Sequence, residues 1–279
     1  MNLENNSVVT SGSTVTTKGV LNFEGIGKII AVIQNEEENK KDKKTKPGRE
    51  LYVCDNKQAK EVRHPETQVE LGDGVKYQLA INKETERMIG YIVGASGSGK
   101  SHFAKQFITQ YHKAYPSRPV YIISALTEDP TLDSLKYLQR IKLTDDFVND
   151  DLSSADFQDS LLVLDDIDTL SKKAIRNKVN QLKDDVLSCG RHFNTSLLLT
   201  AHQPCRGAET KLILNESHFF TIFPLGLQGR AKSYLLETYL GLSKDQIQKL
   251  KNIDSRAITF IKGYPQVVLA EKIAYILAD

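Results

Sequence analysis

The sequence predicts an α/β fold in which helices flank a mainly parallel β-sheet, preceded by a small β-rich N-terminal region. Three observations favour this class. From Ile89 onward, short apolar runs alternate with stretches of helical periodicity, which is typical of a parallel sheet covered by helices. A glycine-rich segment, Gly94–Ser101, separates the first of these strands from the first helix. Four apolar residues beginning at Leu161 then lead into two consecutive carboxylates.

Composition divides the chain into three parts. Residues 1–17 are polar and rich in Ser, Thr and Asn, which predicts a disordered N-terminus. Residues 18–86 hold short strand patterns around a Lys- and Glu-rich run at 35–50, which predicts a small β-rich region with an exposed loop. Residues 87–279 carry the alternating strands and helices and are predicted to form the α/β core.

The predicted elements of the core follow in chain order. Its strand candidates are Ile89–Val93, Val120–Ser124, Leu161–Leu164, Thr195–Thr200, Phe219–Phe223 and Ala257–Ile261. Helices are expected at 102–115, about 171–189 and about 229–240, and Ser243 is placed as the N-cap of a further helix. We expect residues 264–269 to form a final edge strand and residues 271–277 to form a terminal helix.

The composition is that of a soluble globular protein, with 40% hydrophobic and 26% charged residues. A net charge of +2 provides no overall basic surface for nucleic acid, so composition gives no support for DNA binding beyond a local patch. The three cysteines, Cys54, Cys189 and Cys205, lack metal-ligand spacing, which favours free thiols in a reducing compartment. No run is long enough to span a bilayer, and the start lacks the apolar core of a signal peptide. We therefore expect a soluble intracellular protein.

The segment between the first strand and the first helix has the pattern of a phosphate-binding loop, whose glycines let backbone N–H groups turn toward a polyphosphate. A Gly/Ser linker is the alternative, but it would not require this strand and helix context. Lys100 is expected to reach the β- and γ-phosphates, and the Ser101 hydroxyl to hold Mg²⁺. ATP and Mg²⁺ are thus the predicted cofactors of a P-loop NTPase core at 87–279. The predicted nucleotide-binding residues are Gly94, Ala95, Ser96, Gly97, Ser98, Gly99, Lys100 and Ser101.

Two carboxylates, Asp165 and Asp166, end the apolar strand that starts at Leu161. Open α/β sheets bind ligands at the carboxyl ends of their strands, which is where this strand delivers its acids. We expect Asp165 to position Mg²⁺ beside Ser101 and Asp166 to polarise the attacking water. Two surface carboxylates beginning a loop are the alternative interpretation. Asp168 is a rival for the base, although the chain is expected to have turned away by that residue.

The strand that begins near Ser196 ends in a polar segment containing Thr200, His202 and Gln203. A polar residue at the end of a strand next to the acid-bearing strand can contact the γ-phosphate or the attacking water. Gln203 is the first choice for this sensor, with Thr200 and His202 as alternatives. The non-functional interpretation is that these polar residues only cap the strand.

Arg191 lies just before the same strand. An arginine near a subunit boundary can stabilise the γ-phosphate of a neighbouring subunit, so Arg191 is a candidate for such a trans-acting finger. The alternative is a structural arginine paired with Asp184 or Asp185. The rival arginines are Arg206, Arg230 and Arg256.

Together these motifs resemble the FtsK/HerA superfamily, in which an Arg-containing segment leads into a strand that ends in a Gln-bearing sensor. Within it, the chain is similar to the genome-packaging ATPases of large double-stranded DNA viruses, in the poxvirus-like branch. Two departures are Asp166, where the superfamily often has Glu, and His202, which precedes the Gln. The similarity runs from about Ile89 to Leu277, and the stretches that carry it are Gly190–Pro204, Ile123–Pro130, Val163–Asp166 and Tyr264–Leu269.

The resemblance implies an ATPase that assembles as a ring, pentameric or hexameric, and translocates double-stranded DNA into a capsid. It implies capsid or portal-vertex proteins as further partners, and the host cytoplasm or the virion as the location. One alternative is an AAA+-type DNA-remodelling or loader ATPase, which should carry an Arg-bearing helical lid after the core. Another is a nucleotide-gated scaffold with little turnover, which the complete acid pair disfavours. No nuclease is predicted, because the residues after Asp168 continue the ATPase core.

Overall fold

A computed structural model describes residues 8–10, 13–15, 19–35, 48–83, 87–227 and 229–277 of the chain. The chain folds as two units, one made of residues 1–82 with 253–279 and the other of residues 83–252. None of the helices in the described residues is long and apolar enough to cross a membrane.

The strands fall on both sides of the phosphate-binding loop. Those before it are β1 (Val8–Thr10), β2 (Ser13–Val15), β3 (Gly19–Asn22), β4 (Lys28–Asn35), β5 (Glu50–Asp55), β6 (Gln68–Glu70), β7 (Val75–Leu79) and β8 (Ile89–Val93). Those after it are β9 (Val120–Ser124), β10 (Leu138–Arg140), β11 (Leu161–Asp165), β12 (Ser196–Ala201), β13 (Phe219–Ile222), β14 (Ile258–Ile261), β15 (Val267–Ala270) and β16 (Ile273–Ile276).

The α-helices are α1 (Lys100–Ala114), α2 (Lys173–Cys189), α3 (Ala208–Glu216), α4 (Gly229–Ser233) and α5 (Lys244–Lys251). A π-helical turn at Tyr234–Tyr239 follows α4, where the sequence predicted one continuous helix. Short 3₁₀ turns lie at Gln58–Glu61, Asp146–Asn149, Ser154–Phe157 and Ile167–Thr169.

The unit formed by residues 83–252 is a parallel sheet covered by helices, as the alternating pattern predicted. Its strand order is β10-β9-β11-β12-β8-β13, and every pair in this series is parallel. The acid-bearing β11 therefore lies between β9 and β12, and β12 separates it from β8. Because the carboxyl ends of parallel strands meet at one edge, this order brings Gly94–Ser101, Asp165, Asp166 and Gln203 to the same edge.

Burial of one helix face explains why α1 forms where it does. Its buried apolar side chains are Ala104, Phe107, Ile108 and Tyr111, at the spacing of one helical face. The strands beneath are mostly apolar, and Ile89–Val93 and Leu161–Asp165 are buried at every position. Gly90 in the middle of β8 lies under the ring of Phe219, so the aromatic side chain packs directly on the main chain.

The other unit is antiparallel. One of its sheets has the order β3-β5-β4-β7, and its strands β14, β15, β16 and β6 pair in that order. In this order β5 lies between β3 and β4, although β3 and β4 are consecutive in the chain. Hydrogen bonds from Leu71 N to Lys272 O and from Tyr77 N to Glu271 O join the C-terminal residues to the N-terminal ones, both at 2.8 Å.

The C-terminal residues differ from the prediction in two ways. Residues 253–279 belong with residues 1–82, whereas the sequence assigned all of 87–279 to the core. The expected terminal helix at 271–277 is instead β16, which pairs with β15 and β6. Pairing on both sides explains this, because Ala274 and Tyr275 are buried between two strands and their backbone groups are satisfied by the ladder.

The N-terminal segment also differs from the prediction. β1 and β2 pair antiparallel within residues 1–17, for which the composition predicted disorder. Both strands contain Val and Thr, which favour an extended backbone. The prediction of disorder used the polar composition of the whole segment and did not weigh these residues. The remaining residues of this segment, and residues 36–47 of the predicted exposed loop, lie outside the described residues.

Candidate active site

The phosphate-binding loop links buried β8 to α1, as predicted. Gly97 and Gly99 have φ values of 73° and 112°, a left-handed region that residues with a Cβ rarely adopt. Position 94 requires glycine for a steric reason, because a Cβ there would lie 2.7 Å from Cβ of Phe223. The loop is therefore shaped so that its backbone N–H groups and the start of α1 can face an anion.

Lys100 connects this loop to the acid-bearing strand. Its side chain is buried, with 6% exposed, and its Nζ donates to the Ala95 carbonyl oxygen at 3.4 Å. The same Nζ lies 3.6 Å from Oδ1 of Asp166. Ser101, the next residue of α1, is half-buried. The loop and the acid pair thus meet through a lysine that sits where it can contact phosphate oxygens.

Asp165 is enclosed at the end of β11, with 2% exposed. Its Oδ2 accepts a hydrogen bond from Oγ of Ser124 at 2.9 Å, and its Oδ1 accepts one from Oγ1 of Thr200 at 2.8 Å. Burial raises the pKa of Asp165, and the charge of Asp166 raises it further, while the two hydroxyl hydrogen bonds oppose this. A cation beside this carboxylate would stabilise its charged form.

Asp166 follows in a left-handed backbone conformation with φ of 48°, which Asp tolerates better than most residues. Its N–H donates to Oγ1 of Thr200 at 2.9 Å, and that hydroxyl also lies 3.2 Å from its Oδ1. Thr200, an alternative sensor in the sequence prediction, therefore links the two carboxylates. Its single hydroxyl proton can be donated to only one of them at a time.

Asp168 returns to the site, so the expectation that the chain has turned away by this residue is wrong. The 3₁₀ turn at Ile167–Thr169 folds the chain back, and Oδ2 of Asp168 accepts the backbone N–H groups of His202 at 3.0 Å and Gln203 at 3.4 Å. The ring of His202 lies between two carboxylates. Its Nε2 is 3.6 Å from Oδ2 of Asp166, and its Nδ1 is 3.7 Å from Oδ1 of Asp168.

Gln203, the first-choice sensor, is placed at this edge by its main chain. Its carbonyl oxygen accepts a hydrogen bond from the hydroxyl of Tyr91 at 3.0 Å, and its N–H faces Asp168. The residue is exposed. It lines a cleft together with Asp168, Arg176 and Arg206.

Arg191 does not join the cluster within one chain. It is exposed in the turn before β12, and the length of that strand separates it from His202. At about 3.3 Å for each residue, the separation along the strand is roughly 20 Å. Of the rival arginines, Arg206 lies nearer, because its Nη1 donates to the carbonyl oxygen of Asp168 at 2.9 Å.

The residues fit a magnesium ion. The Ser101 hydroxyl and the Asp165 carboxylate are hard oxygen donors of the kind that Mg²⁺ prefers, and the raised pKa of buried Asp165 favours a cation partner. A second set, Asp166, Asp168 and His202, offers ligand atoms that all lie within 4.8 Å of one another.

Sequence reasoning missed Ser124 and gave Asp168 too little weight. Ser124 is directly opposite Asp165 in the parallel pairing of β9 and β11. Its position at the end of a predicted strand was visible, but which strand neighbours the acid strand was not. For Asp168 no signal in the sequence indicates that a 3₁₀ turn follows β11.

The chain has a relative among virophage proteins. It is 40% identical over 189 residues to the uncharacterized protein V3 of Sputnik virophage, a match that covers 66% of this chain and 75% of V3. No protein-family model matches the chain.

Among solved structures, the cytoplasmic domain of the Type VII secretion ATPase EccC of Thermomonospora curvata has a TM-score of 0.50 at 14% identity, covering 74% of this chain and 28% of EccC. The genome packaging NTPase B204 of Sulfolobus turreted icosahedral virus 2, in complex with AMPPCP, has a TM-score of 0.43 at 16% identity, covering 66% of this chain and 98% of B204. The likeness to EccC agrees with the sheet and loop described above, and the fold is that of a P-loop ATPase.

Proposed function

This chain belongs to the family of protein V3 of Sputnik virophage, and we propose that it is an ATP-hydrolysing motor that translocates double-stranded DNA. The observation that carries the ATPase part is the approach of Lys100 Nζ to within 3.6 Å of Asp166 Oδ1. It joins a loop suited to phosphates with a carboxylate suited to activating water, which is what hydrolysis of a nucleoside triphosphate requires.

The loop Gly94–Ser101 binds the triphosphate through its backbone N–H groups and through Lys100, and the start of α1 adds its positive dipole end. Ser101 and Asp165 hold Mg²⁺, which would neutralise charge on the phosphates when bound. Asp166 accepts a hydrogen bond from the attacking water and orients it toward the γ-phosphate. Gln203 contacts the γ-phosphate or that water from the end of the neighbouring strand.

Arg191 acts on the nucleotide of a neighbouring subunit. Its exposure and its place at the amino end of β12 support this assignment, because in its own chain it is far from the acid pair. An arginine supplied in trans stabilises the charge that develops on the transferred phosphoryl group. The protein would accordingly work as a ring, pentameric or hexameric, in which each site is completed by the next subunit.

DNA translocation and genome packaging rest on the resemblance of the four sequence stretches to the viral packaging branch of the FtsK/HerA superfamily. The double-stranded DNA would pass through the ring into a capsid, with capsid or portal-vertex proteins as partners and the host cytoplasm or the virion as the place of action. An AAA+-type loader would instead carry an Arg-bearing helical lid, whereas residues 258–276 hold the strands β14, β15 and β16.

Steady-state ATP hydrolysis with and without long duplex DNA tests the proposal. We expect hydrolysis that DNA stimulates, and we expect Lys100→Ala to abolish it because the phosphates lose their cationic partner. Lys113→Ala, on the exposed last turn of α1, is the matched control and should behave like the natural protein. Hydrolysis with neither DNA binding nor stimulation would contradict the motor and leave a DNA-independent ATPase.

A further inference from the structure

We propose that His202, held in place by Asp168, is a positioning residue for Asp166. The inference rests on the proposed function, since it assigns to the pair the task of orienting the carboxylate that activates water. Neither residue needs to touch the nucleotide for this role. Asp168 acts on His202, and His202 acts on Asp166.

The geometry places the imidazole ring of His202 between the two carboxylates. Its Nε2 faces Oδ2 of Asp166 at 3.6 Å, and its Nδ1 faces Oδ1 of Asp168 at 3.7 Å. Distances slightly longer than a hydrogen bond are common at catalytic sites without a ligand and shorten when substrate binds. The ring is mostly enclosed, with 28% of the side chain exposed, so few other orientations are open to it.

Two buried polar atoms identify the pair as partners. Oδ1 of Asp168 and Nδ1 of His202 are buried, and neither has a hydrogen-bond partner among the described residues. Buried polar atoms without a partner are costly, and these two face each other. The other oxygen of Asp168 is already fixed by the backbone N–H groups of His202 and Gln203. The Asp168 carboxylate is therefore held in place by the main chain, independently of its contact with the His202 ring.

A carboxylate held in place beside one nitrogen of a histidine ring fixes the orientation of the ring, and so determines which group the other nitrogen faces. In this site Nδ1 is turned to Asp168 and Nε2 to Asp166. The two oxygens of Asp166 then have separate neighbours, with Lys100 at 3.6 Å from Oδ1 and His202 at 3.6 Å from Oδ2. A neutral imidazole has one N–H, so the ring donates to both carboxylates only in its doubly protonated form. In that form Asp166 is held at both oxygens, and its fixed plane aims the remaining lone pairs at a defined position for water.

The first experiment compares steady-state ATP hydrolysis by His202→Ala and His202→Gln. We expect His202→Ala to lower kcat by about ten- to a hundredfold, the usual effect of removing a group that orients a catalytic side chain, with KM unchanged. His202→Gln should recover part of this loss, because its amide can contact Asp166 from a similar position. A change in KM alone, or a glutamine variant as slow as the alanine variant, would overturn the proposal.

The second experiment tests the order of action with Asp168→Asn and the double variant Asp168→Asn with His202→Ala. Because Asp168 acts through His202, the double variant should be no slower than His202→Ala. Losses that multiply would show independent roles and overturn the proposal. His64→Ala, a histidine exposed in the other unit, is the control, and thermal melting of each variant identifies loss of fold.

Two different results would separate a missing ATPase activity from a missing positioning role of His202. If the natural protein hydrolyses no ATP, the proposed function and the inference fall together. If it hydrolyses ATP and Asp166→Asn does not, while His202→Ala keeps the natural kcat, the ATPase stands and only the positioning role is lost.

Discussion

The two ends of β12 have opposite characters. At its carboxyl end, Thr200 is fully buried, donates to Asp165 and accepts from the N–H of Asp166, and His202 follows between Asp166 and Asp168. At its amino end, Arg191 is exposed in a turn. The difference teaches that one chain gathers three carboxylates at one end of this strand by itself. In the proposed function, the arginine at the other end acts on the nucleotide of a neighbouring subunit.

Among substitutions at the two ends of β12 and beside it, replacing Arg191 should have the largest effect. We expect Arg191→Ala to lower kcat by about 10³–10⁵, the range known for trans-acting arginines, and to leave nucleotide affinity nearly unchanged. Mixing it with Lys100→Ala subunits should restore part of the activity, because some sites then combine an intact loop with an intact arginine. Arg230→Ala is the control and should keep the natural kcat, whereas a similar loss in that variant would favour Arg230 as the trans-acting arginine. If no mixture recovers activity, Arg191 does not act in trans.

On the inward side, Asp166→Asn should lower kcat by about 10²–10⁴, since the amide cannot accept a proton or orient water as the carboxylate does. Binding of a non-hydrolysable ATP analogue should persist, because the phosphate-binding loop is intact. Stopped-flow or calorimetric titration measures the binding, and phosphate release measures the rate. An Asp166→Asn variant that turns over normally would transfer the base to another carboxylate, with Asp168 as the nearest candidate.

Thr200→Val tests the link between the two carboxylates with almost no change of volume. It leaves Oδ1 of Asp165 and the N–H of Asp166 without their hydroxyl partner, which should cost about 1–3 kcal/mol of unfolding free energy. Thr200→Ser keeps the hydroxyl and should retain most of the stability. Urea denaturation of both variants provides the comparison, and equal losses would assign the effect to packing rather than to hydrogen bonding.

The smallest expected effect concerns pH. The pKa of Asp165 is raised above its ordinary value of 3.8, so the folded protein binds this proton more tightly than the unfolded chain. Without Mg²⁺, the contribution of Asp165 to stability is therefore present at low pH and lost as the pH rises from about that ordinary value through the raised one. Asp165→Asn should flatten this dependence in denaturation measured in EDTA. An unchanged slope would show that another group causes it.

The parts of the fold that were predictable from sequence depend on local patterns. The bounds of β8 match the prediction because a short run without polar side chains is followed at once by the glycine-rich loop. The acids at the end of β11 were equally visible. A local sequence pattern does not determine the order of strands in a sheet. The hydrogen bond from Ser124 to Asp165, which joins two neighbouring strands, therefore could not be predicted from the sequence. The strand β16 was mistaken for a helix because its partners, β15 and β6, are set by tertiary pairing.

The candidate site followed the same division. Its phosphate loop and acid pair are contiguous in sequence, and their types alone indicate their chemistry. His202 and Asp168 are 34 residues apart, and they meet only because a short turn reverses the chain after β11. The prediction favoured Gln203 as the sensor because it follows a strand expected to lie next to the acid-bearing strand. A ring lying between two carboxylates can be recognised only from coordinates.

The left-handed main chain at Asp166 also constrains which acids this position accepts. Aspartate is several-fold enriched among the non-glycine residues with a positive φ, whereas a glutamate would add a methylene and favour ordinary helical or extended backbone. Relaxing the backbone for a longer acid would unwind the turn at Ile167–Thr169 and carry Asp168 away from His202. The short acid and its histidine support are thus interdependent. An exchange of Asp for Glu at this position would have to be accompanied by a change in the turn itself.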